Sequence, residues 1–265
     1  MSRLEAAVNG KKNLFIPFIT AGDPNPEVTI ELALTLEEAG ADILELGIPY
    51  SDPLADGPVI QAASKRALKH EMTLEKALSL VPKMRAQGLT IPVIVFTYVN
   101  PLLQYGEEQF VKRAADYQVD GILVPDMPFE EGEVLQAACQ EHNLSLISLV
   151  APTSNKRIEK IAARAQGFVY CVSSLGVTGL RDELDPRVHE FLQTVKTHAS
   201  VPVVVGFGIS RREQVEALAE NADGVVVGSA IVKLVGELED ELNDPEKRED
   251  GLFKIKRFVS ELISS

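Results

Sequence analysis

Eight short apolar runs, each followed by a polar or amphipathic stretch, recur along almost the whole 265-residue chain. They are 13–20, 42–48, 91–98, 120–125, 144–150, 168–172, 201–206 and 223–228, and several are β-branched and apolar throughout, as strands covered on both faces must be. Strands that alternate with helical patterns run parallel, because each crossover helix returns the chain to the same end of the sheet. Eight such units in about 250 residues have the size and count of a (β/α)8 TIM barrel. The alternative, a doubly wound sheet, more naturally carries a Gly-x-Gly-x-x-Gly turn after strand one, and Thr20-Ala-Gly-Asp-Pro-Asn-Pro26 is no such turn. With no dividing boundary in 1–265, the expectation is one α/β barrel domain with an extra N-terminal helix and extended βα loops.

Local signals sharpen this reading. Val28, Leu32, Leu36 and Ala39 form one apolar stripe over 26–40, with Gly40 as terminator. Ser210-Arg-Arg-Glu213 predicts a capping box opening a helix over 211–220. Leu252, Ile255, Val259 and Leu262 share a face of a last helix near 247–262, and the acidic stretch 236–245 before it reads as a solvated connection. Short phrases also repeat at strand entrances: Ala41-Asp42, Val119-Asp120-Gly121 and Ala222-Asp223-Gly224, and likewise Ile91-Pro-Val93 and Val201-Pro-Val203.

Composition narrows the partners. A net charge of -13 opposes nucleic acid and anionic membranes. Residues 1–12 lack the apolar core of a secretory signal and no apolar run reaches bilayer length, so a cytoplasmic protein is expected, or a stromal one in a plant-type source. Cys139 and Cys171 read as buried thiols, and His70, His142, His189 and His198 show no metal-ligand spacing, so no metal is expected.

The chemistry concentrates at strand ends, where barrels of this type carry their sites. Glu45 sits within the apolar run Asp42-Ile-Leu-Glu-Leu-Gly-Ile-Pro49, on the strand face of Ile43 and Gly47, and so points into the interior. Desolvation there raises a carboxyl pKa toward neutrality, where it can both give and take a proton. Asp56 follows in Ser51-Asp-Pro-Leu-Ala-Asp-Gly-Pro58, and two acids in different environments suggest divided roles. A salt-bridged core glutamate and a turn-capping aspartate are the structural alternatives. Gly206-Phe207-Gly208-Ile-Ser210 after strand seven and Gly228-Ser229-Ala230 after strand eight together resemble a phosphate cradle. The long loop 173–186 has the composition of a lid. No strand segment contains a lysine, which disfavours a Schiff-base aldolase.

The run Leu44-Glu-Leu-Gly-Ile-Pro-Tyr-Ser-Asp-Pro-Leu-Ala-Asp-Gly-Pro-Val-Ile-Gln61 closely resembles the signature of the tryptophan synthase alpha subunit family. Pro17–Pro24, Tyr98–Pro101, Val124–Pro128, Gly176–Gly179, Gly206–Ser210 and Gly228–Lys233 extend the resemblance over essentially the whole chain. It implies reversible retro-aldol cleavage of indole-3-glycerol phosphate to indole and glyceraldehyde 3-phosphate. Glu45 is then the general acid/base, Asp56 the partner of the indole N–H, Tyr170 a neighbour of the reacting glycerol and Phe18 a wall against the indole. Gly179, Gly208, Gly228 and Ser229 match phosphate-binding positions, Gly206 and Phe207 stand in the same substrate-binding turn, and Thr178 matches a lid residue that meets the aspartate. The resemblance implies no cofactor in this chain, with pyridoxal phosphate carried by a beta subunit in an alpha2beta2 heterotetramer. Pro49, Asp52 and Asn100 fall in the stretches expected to face that partner. Many bacterial members carry an arginine where this chain has Ser173-Ser-Leu175. Plant-type relatives release indole without a beta subunit, which is the alternative reading.

Overall fold

The computed structural model describes residues 1–154, 157–172, 186–206 and 208–263. Nine strands lie in one parallel sheet: β1 Leu14–Thr20, β2 Leu44–Gly47, β3 Val93–Phe96, β4 Gly121–Leu123, β5 Ser145–Leu146, β6 Ser148–Val150, β7 Val169–Val172, β8 Val203–Gly206 and β9 Gly224–Val227. Their order is β5-β4-β3-β2-β1-β9-β8-β7-β6. The two ends of that order, β5 and β6, are consecutive pieces of the single strand expected over 144–150. β5 pairs with β4 and β6 with β7. Between them the Ile147 N–H still donates to the Ile122 carbonyl at 2.8 Å. One split stave therefore closes the eight-unit barrel.

Alternation along the strands fills the barrel. Leu14, Ile16, Ile43, Ile94, Leu123, Ile147, Phe168, Val204 and Val226 form its interior cluster. Leu4 and Val8, from the expected extra helix Arg3–Val8, join that cluster and plug its lower end. This short helix is fixed by a reciprocal cap: Ser2 Oγ accepts from the Glu5 N–H at 3.1 Å and Glu5 Oε2 accepts from the Ser2 N–H at 2.7 Å. The opposite strand faces pack on surrounding helices, so Leu44, Leu46, Val93 and Val95 share the outer core with Leu32 and Leu36 of the helix Pro26–Glu38.

The repeated phrases at the strand entrances have one mechanical meaning. Asp42, Asp120 and Asp223 each accept, through the side chain, the backbone N–H of a neighbouring strand: Phe15 at 2.8 Å, Val93 at 2.9 Å and Val203 at 2.9 Å. Each aspartate also meets a cation. Lys11 pairs with Asp42, Lys196 lies 3.2 Å from Asp223, and Arg3 and Arg85 each reach Asp120 at 2.8 Å. The Pro92 and Pro202 carbonyls of the second phrase accept from Leu44 and Val169, both at 2.8 Å. These side-chain and main-chain bonds tie the staves together at the end away from the strand C-termini.

Two local expectations are corrected. The helix expected over 211–220 runs Arg212–Ala219, and its start is bound by Gln214 rather than Glu213. Gln214 Oε1 accepts from the Ser210 N–H at 2.9 Å and the Arg211 N–H at 3.1 Å, because the amide one residue further on is the side chain turned back toward the chain entering the helix. The stretch 236–245 is not a mere connection. The helix Ser229–Glu237 runs into a short helix Glu239–Asn243, and Leu238 and Leu242, four residues apart, are buried on one face beneath the acidic residues.

Removing the Asp120 carboxylate strands Arg85, whose side chain is only 7% exposed, and frees the Val93 N–H. Asp120→Ala is expected to lower unfolding free energy by about 3 kcal/mol or more, the usual cost of a buried pair broken on one side. Urea unfolding would show this as a reduced midpoint, and a loss below about 1 kcal/mol, the level of an exposed pair, would refute the clamp.

Candidate active site

Glu45 projects from β2 onto the barrel's inner face. In register it lies between Phe18 of β1 and Ile94 of β3, both apolar. Only 2% of it is exposed, and its Oε2 has no hydrogen-bond partner among the described residues. Burial, assisted by the nearby Asp56 charge, pushes its pKa up to about 8. The salt-bridged alternative is excluded, since no cation among the described residues pairs with it. At neutral pH this carboxyl holds its proton.

Asp56 has a different setting. It stands half-buried in the segment between β2 and the helix Pro58–Leu68. Burial raises its pKa from the ordinary value, and a hydrogen bond with Tyr98 works in the opposite direction. Tyr98 is almost fully buried, and its hydroxyl also accepts from the Ala55 N–H at 3.2 Å. The Gln61 amide donates to the Asp56 carbonyl at 2.9 Å, so the aspartate is held from both sides of its loop. The Asp56 charge reaches Glu45, so the acid pair expected from the sequence is brought together.

Aromatic side chains wall the mouth. Phe18 packs edge-on to Phe96 at 5.7 Å between ring centroids, Phe96 edge-on to Tyr98 at 5.8 Å, and Tyr98 against Tyr50 at 5.6 Å. Tyr170 of β7 stands in register with Leu149 of β6, and burial together with the Glu45 charge holds its phenol well above the usual range. Tyr170 thus stays a neutral hydrogen-bond donor. A methyl at Gly206 would come within 2.6 Å of its hydroxyl, so the glycine at the end of β8 is what leaves room for that ring.

Further round the rim, Gly208 adopts φ +67°, with open space where a side chain would project. Gly228 follows β9 and immediately precedes the helix Ser229–Glu237, whose first N–H groups have no carbonyl within the helix to reach. Gly206, Gly208, Gly228 and Ser229 therefore come together at the ends of β8 and β9, an arrangement suited to a phosphate group. Thr178, Gly179 and Phe207 lie outside the described residues, as does most of the lid-like loop 173–186. Of the partner-facing candidates, Asp52 and Asn100 are exposed, Pro49 is buried beneath them, and the Asn100 amide donates to the Tyr50 hydroxyl at 2.7 Å.

Sequence reasoning passed over Tyr98 and Phe96. The signal was present in both: Ile94, Phe96 and Tyr98 alternate along one strand face, the same rule that singled out Glu45. Cys139 and Cys171 are buried free thiols, Cys139 with its pKa pushed up to about 12 by burial. Among the described residues there is no cluster of three or more potential metal ligands.

A closed parallel (β/α)8 barrel with a desolvated carboxylic acid inside its mouth and glycine turns at the last two strand ends defines a barrel enzyme of the acid–base type. Residues 4–260 match the family model described as tryptophan synthase alpha chain. The chain is 62% identical over 261 residues to the tryptophan synthase alpha chain of Shouchella clausii (strain KSM-K16), covering 98% of this chain and 97% of that protein. It is 60% identical to that of Geobacillus sp. (strain WCH70), covering 96% of each. Among solved structures, a chain of the tryptophan synthase a2b2 complex from Pyrococcus furiosus superposes with a TM-score of 0.86 at 38% identity, covering 96% of this chain and 99% of that one. The subunit alpha structure from Legionella pneumophila str. Paris gives 0.84 at 36% identity, covering 98% of both. This chain belongs to the tryptophan synthase alpha chain family.

The buried acid carries a stability cost with a defined pH dependence. The native Glu45 pKa, about 8, lies above the ordinary glutamate value of 4.5, so between these values the native state holds a proton that the unfolded chain releases. Below pH 4.5 the group contributes nothing; stability falls as pH rises toward 8, and above that the full penalty, on the order of 5 kcal/mol, is present. Glu45→Gln removes the titration. The variant's melting temperature relative to the parent should rise from pH 5 to pH 9 and then level; a pH-independent difference would contradict the raised pKa.

Proposed function

We propose that this chain, as the alpha subunit of tryptophan synthase, cleaves indole-3-glycerol phosphate through the Glu45–Asp56 pair. The observation that carries the assignment of roles is Glu45 itself: a buried, protonated carboxyl with an uncommitted oxygen on the inner face of β2. Protonated Glu45 delivers its proton to indole C3, turning the ring into an electron sink with positive charge at the ring nitrogen. Ionised Asp56, steadied by Tyr98, accepts the indole N–H and stabilises that charge. The Glu45 carboxylate then takes the proton of the glycerol hydroxyl next to the ring, a carbonyl forms, and the carbon–carbon bond breaks with its electrons returning to the indole. The proton count closes on Glu45, which ends as it began. Tyr170 donates toward the glycerol, Phe18 and Phe96 flank the ring, Gly208, Gly228 and Ser229, with Gly179, hold the phosphate end, Gly206 and Phe207 belong to the same substrate-binding turn, and Thr178 is the lid residue that meets Asp56.

The family's alpha subunit needs no cofactor of its own; pyridoxal phosphate belongs to the beta subunit. This chain pairs with such a subunit in an alpha2beta2 assembly, as the Pyrococcus furiosus a2b2 complex does. The partner-facing surface runs from Pro49 and Asp52 to Asn100. It includes Leu54 and Leu103, large apolar side chains that are 82% and 58% exposed. The bacterial relatives and the acidic net charge support work in the cytoplasm.

Two assays test this reading. Glu45→Gln should lower kcat for indole release by about 10²–10⁴-fold while the fold persists. In the parent, kcat/KM should fall above pH 8 as Glu45 loses its proton and fall again in acid as Asp56 gains one, at a pH above its ordinary 3.8. Substantial activity in the variant would sink the mechanism. Indole release should be slow for the isolated chain and rise strongly with a beta subunit; equal, fast release without the partner would instead establish an independent lyase.

A further inference from the structure

A cavity of about 660 Å³ opens where the split stave interrupts the barrel wall, beneath the segment that follows β4. Its apolar lining comes from Met127 and Phe129 of that segment, Leu146 and Leu149 on either side of the break, and Ile161 of the helix Arg157–Arg164. Neither Glu45, Asp56, Phe18 nor Tyr170 lines it, nor do the glycines at the ends of β8 and β9. Leu149, in register with Tyr170, is the partition between this cavity and the catalytic mouth.

Four polar side chains stand around these walls: Gln136, Ser148, Thr153 and Arg157. The first three have no hydrogen-bond partner among the described residues. The Arg157 Nε lies 3.3 Å from Glu130 in an ion pair, and its guanidinium has no other partner among the described residues. Above the apolar floor, Lys160 lies 5.5 Å over the Phe129 ring, a second cation at the same rim. A cavity of this size that combines apolar side chains with a few uncommitted polar groups is the usual form of a small-molecule site. Met127, Phe129 and Leu149 offer apolar surface to a ring system. The cationic rim suits an anionic group at one end of that ring, since a guanidinium binds a carboxylate through two parallel N–H donors.

We infer that this cavity is a second ligand site, distinct from the acid pair, for a planar aromatic carboxylate, with Arg157 and Thr153 holding the carboxylate and Met127, Phe129 and Leu149 enclosing the ring. The chain contains four methionines, Met1, Met72, Met84 and Met127, so ¹³C-methyl labelling reports on the site directly. Met72 and Met84 are buried in the outer core and serve as internal controls. Titration of the full chain with indole-3-acetate as probe should shift the Met127 methyl saturably and leave those of Met72 and Met84 in place. The shift should persist when the catalytic mouth is filled with a non-cleavable indole alkyl phosphate. Arg157→Gln, a surface change that leaves the fold intact, should weaken probe binding by about tenfold, the loss expected for one charge-assisted anchor. Absence of a Met127 shift, its abolition by the mouth ligand, or equal affinity in Arg157→Gln would each overturn the assignment. Because indole release is measured separately, failure here leaves the catalytic reading untouched.

Discussion

A carboxyl group buried in an apolar wall with an unpartnered oxygen has to be held there by something stronger than its own preference for water. Glu45 is in that position, and the closed barrel is what holds it. Its backbone is bonded in register on both sides, to β1 and to β3, so no local movement carries the side chain into solvent without breaking two ladders. The strain of desolvation is therefore expressed as a raised proton affinity instead of a displaced strand. That conversion produces an acid usable at neutral pH.

The two ends of the barrel divide the work. At the lower end, Asp42, Asp120 and Asp223 repeat the same clamp, and the helix Arg3–Val8 closes the interior with Leu4 and Val8. Each of these three carboxylates meets both a cation and a backbone N–H, so its charge is answered where it stands. At the upper end the rule is inverted. Among the described residues, Glu45 has no cation and the buried Thr20 and Thr97 hydroxyls have no partner, and the strand ends are punctuated by glycine. Polar groups left unsatisfied in this way are costly in a fold and useful in a site.

Much of this was legible in the sequence because it depends on period. The two-residue alternation places Glu45 inside, and alternation of strand with helix specifies the barrel; neither requires knowledge of distant contacts. What depends on distant contacts was not legible. Nothing in Leu-Ser-Leu-Ile-Ser-Leu-Val150 shows that the stave breaks at Ile147, because the break arises from its two halves following different neighbours, β4 and β7. The helix Glu239–Asn243 was hidden by its acidic composition, although Leu238 and Leu242 carried the four-residue spacing of a buried face. Tyr98 read as the end of a strand, and its bond to Asp56 joins segments 42 residues apart. The role of Gln214 was missed by one position, a distance at which capping patterns lose their resolution.

The two carboxyls proposed as the acid pair differ less in chemistry than in what supports them. Glu45 belongs to a strand at the centre of the sheet, whereas Asp56 belongs to a loop whose position is set by Tyr98 and Gln61. Tyr98 is also the residue from which the helix Val99–Tyr105 begins, and that helix carries Asn100 back to Tyr50 on the same loop. The far end of the helix is in turn anchored, since the Tyr105 hydroxyl donates to Glu75 and the Tyr117 hydroxyl reaches the same carboxylate at 2.9 Å. Asp56 is thus coupled to an exposed surface through a short, continuous set of hydrogen bonds and ring contacts, and Glu45 is insulated from it by the sheet. A proton donor gains from being fixed in a desolvated place. An electrostatic partner that must stay ionised gains from a loop, where water and a hydrogen-bond donor keep its pKa below that of its neighbour. The difference in support accordingly sets the two acids apart: complete burial pushes the Glu45 pKa up to about 8, whereas at half-buried Asp56 the Tyr98 hydrogen bond works against the effect of burial.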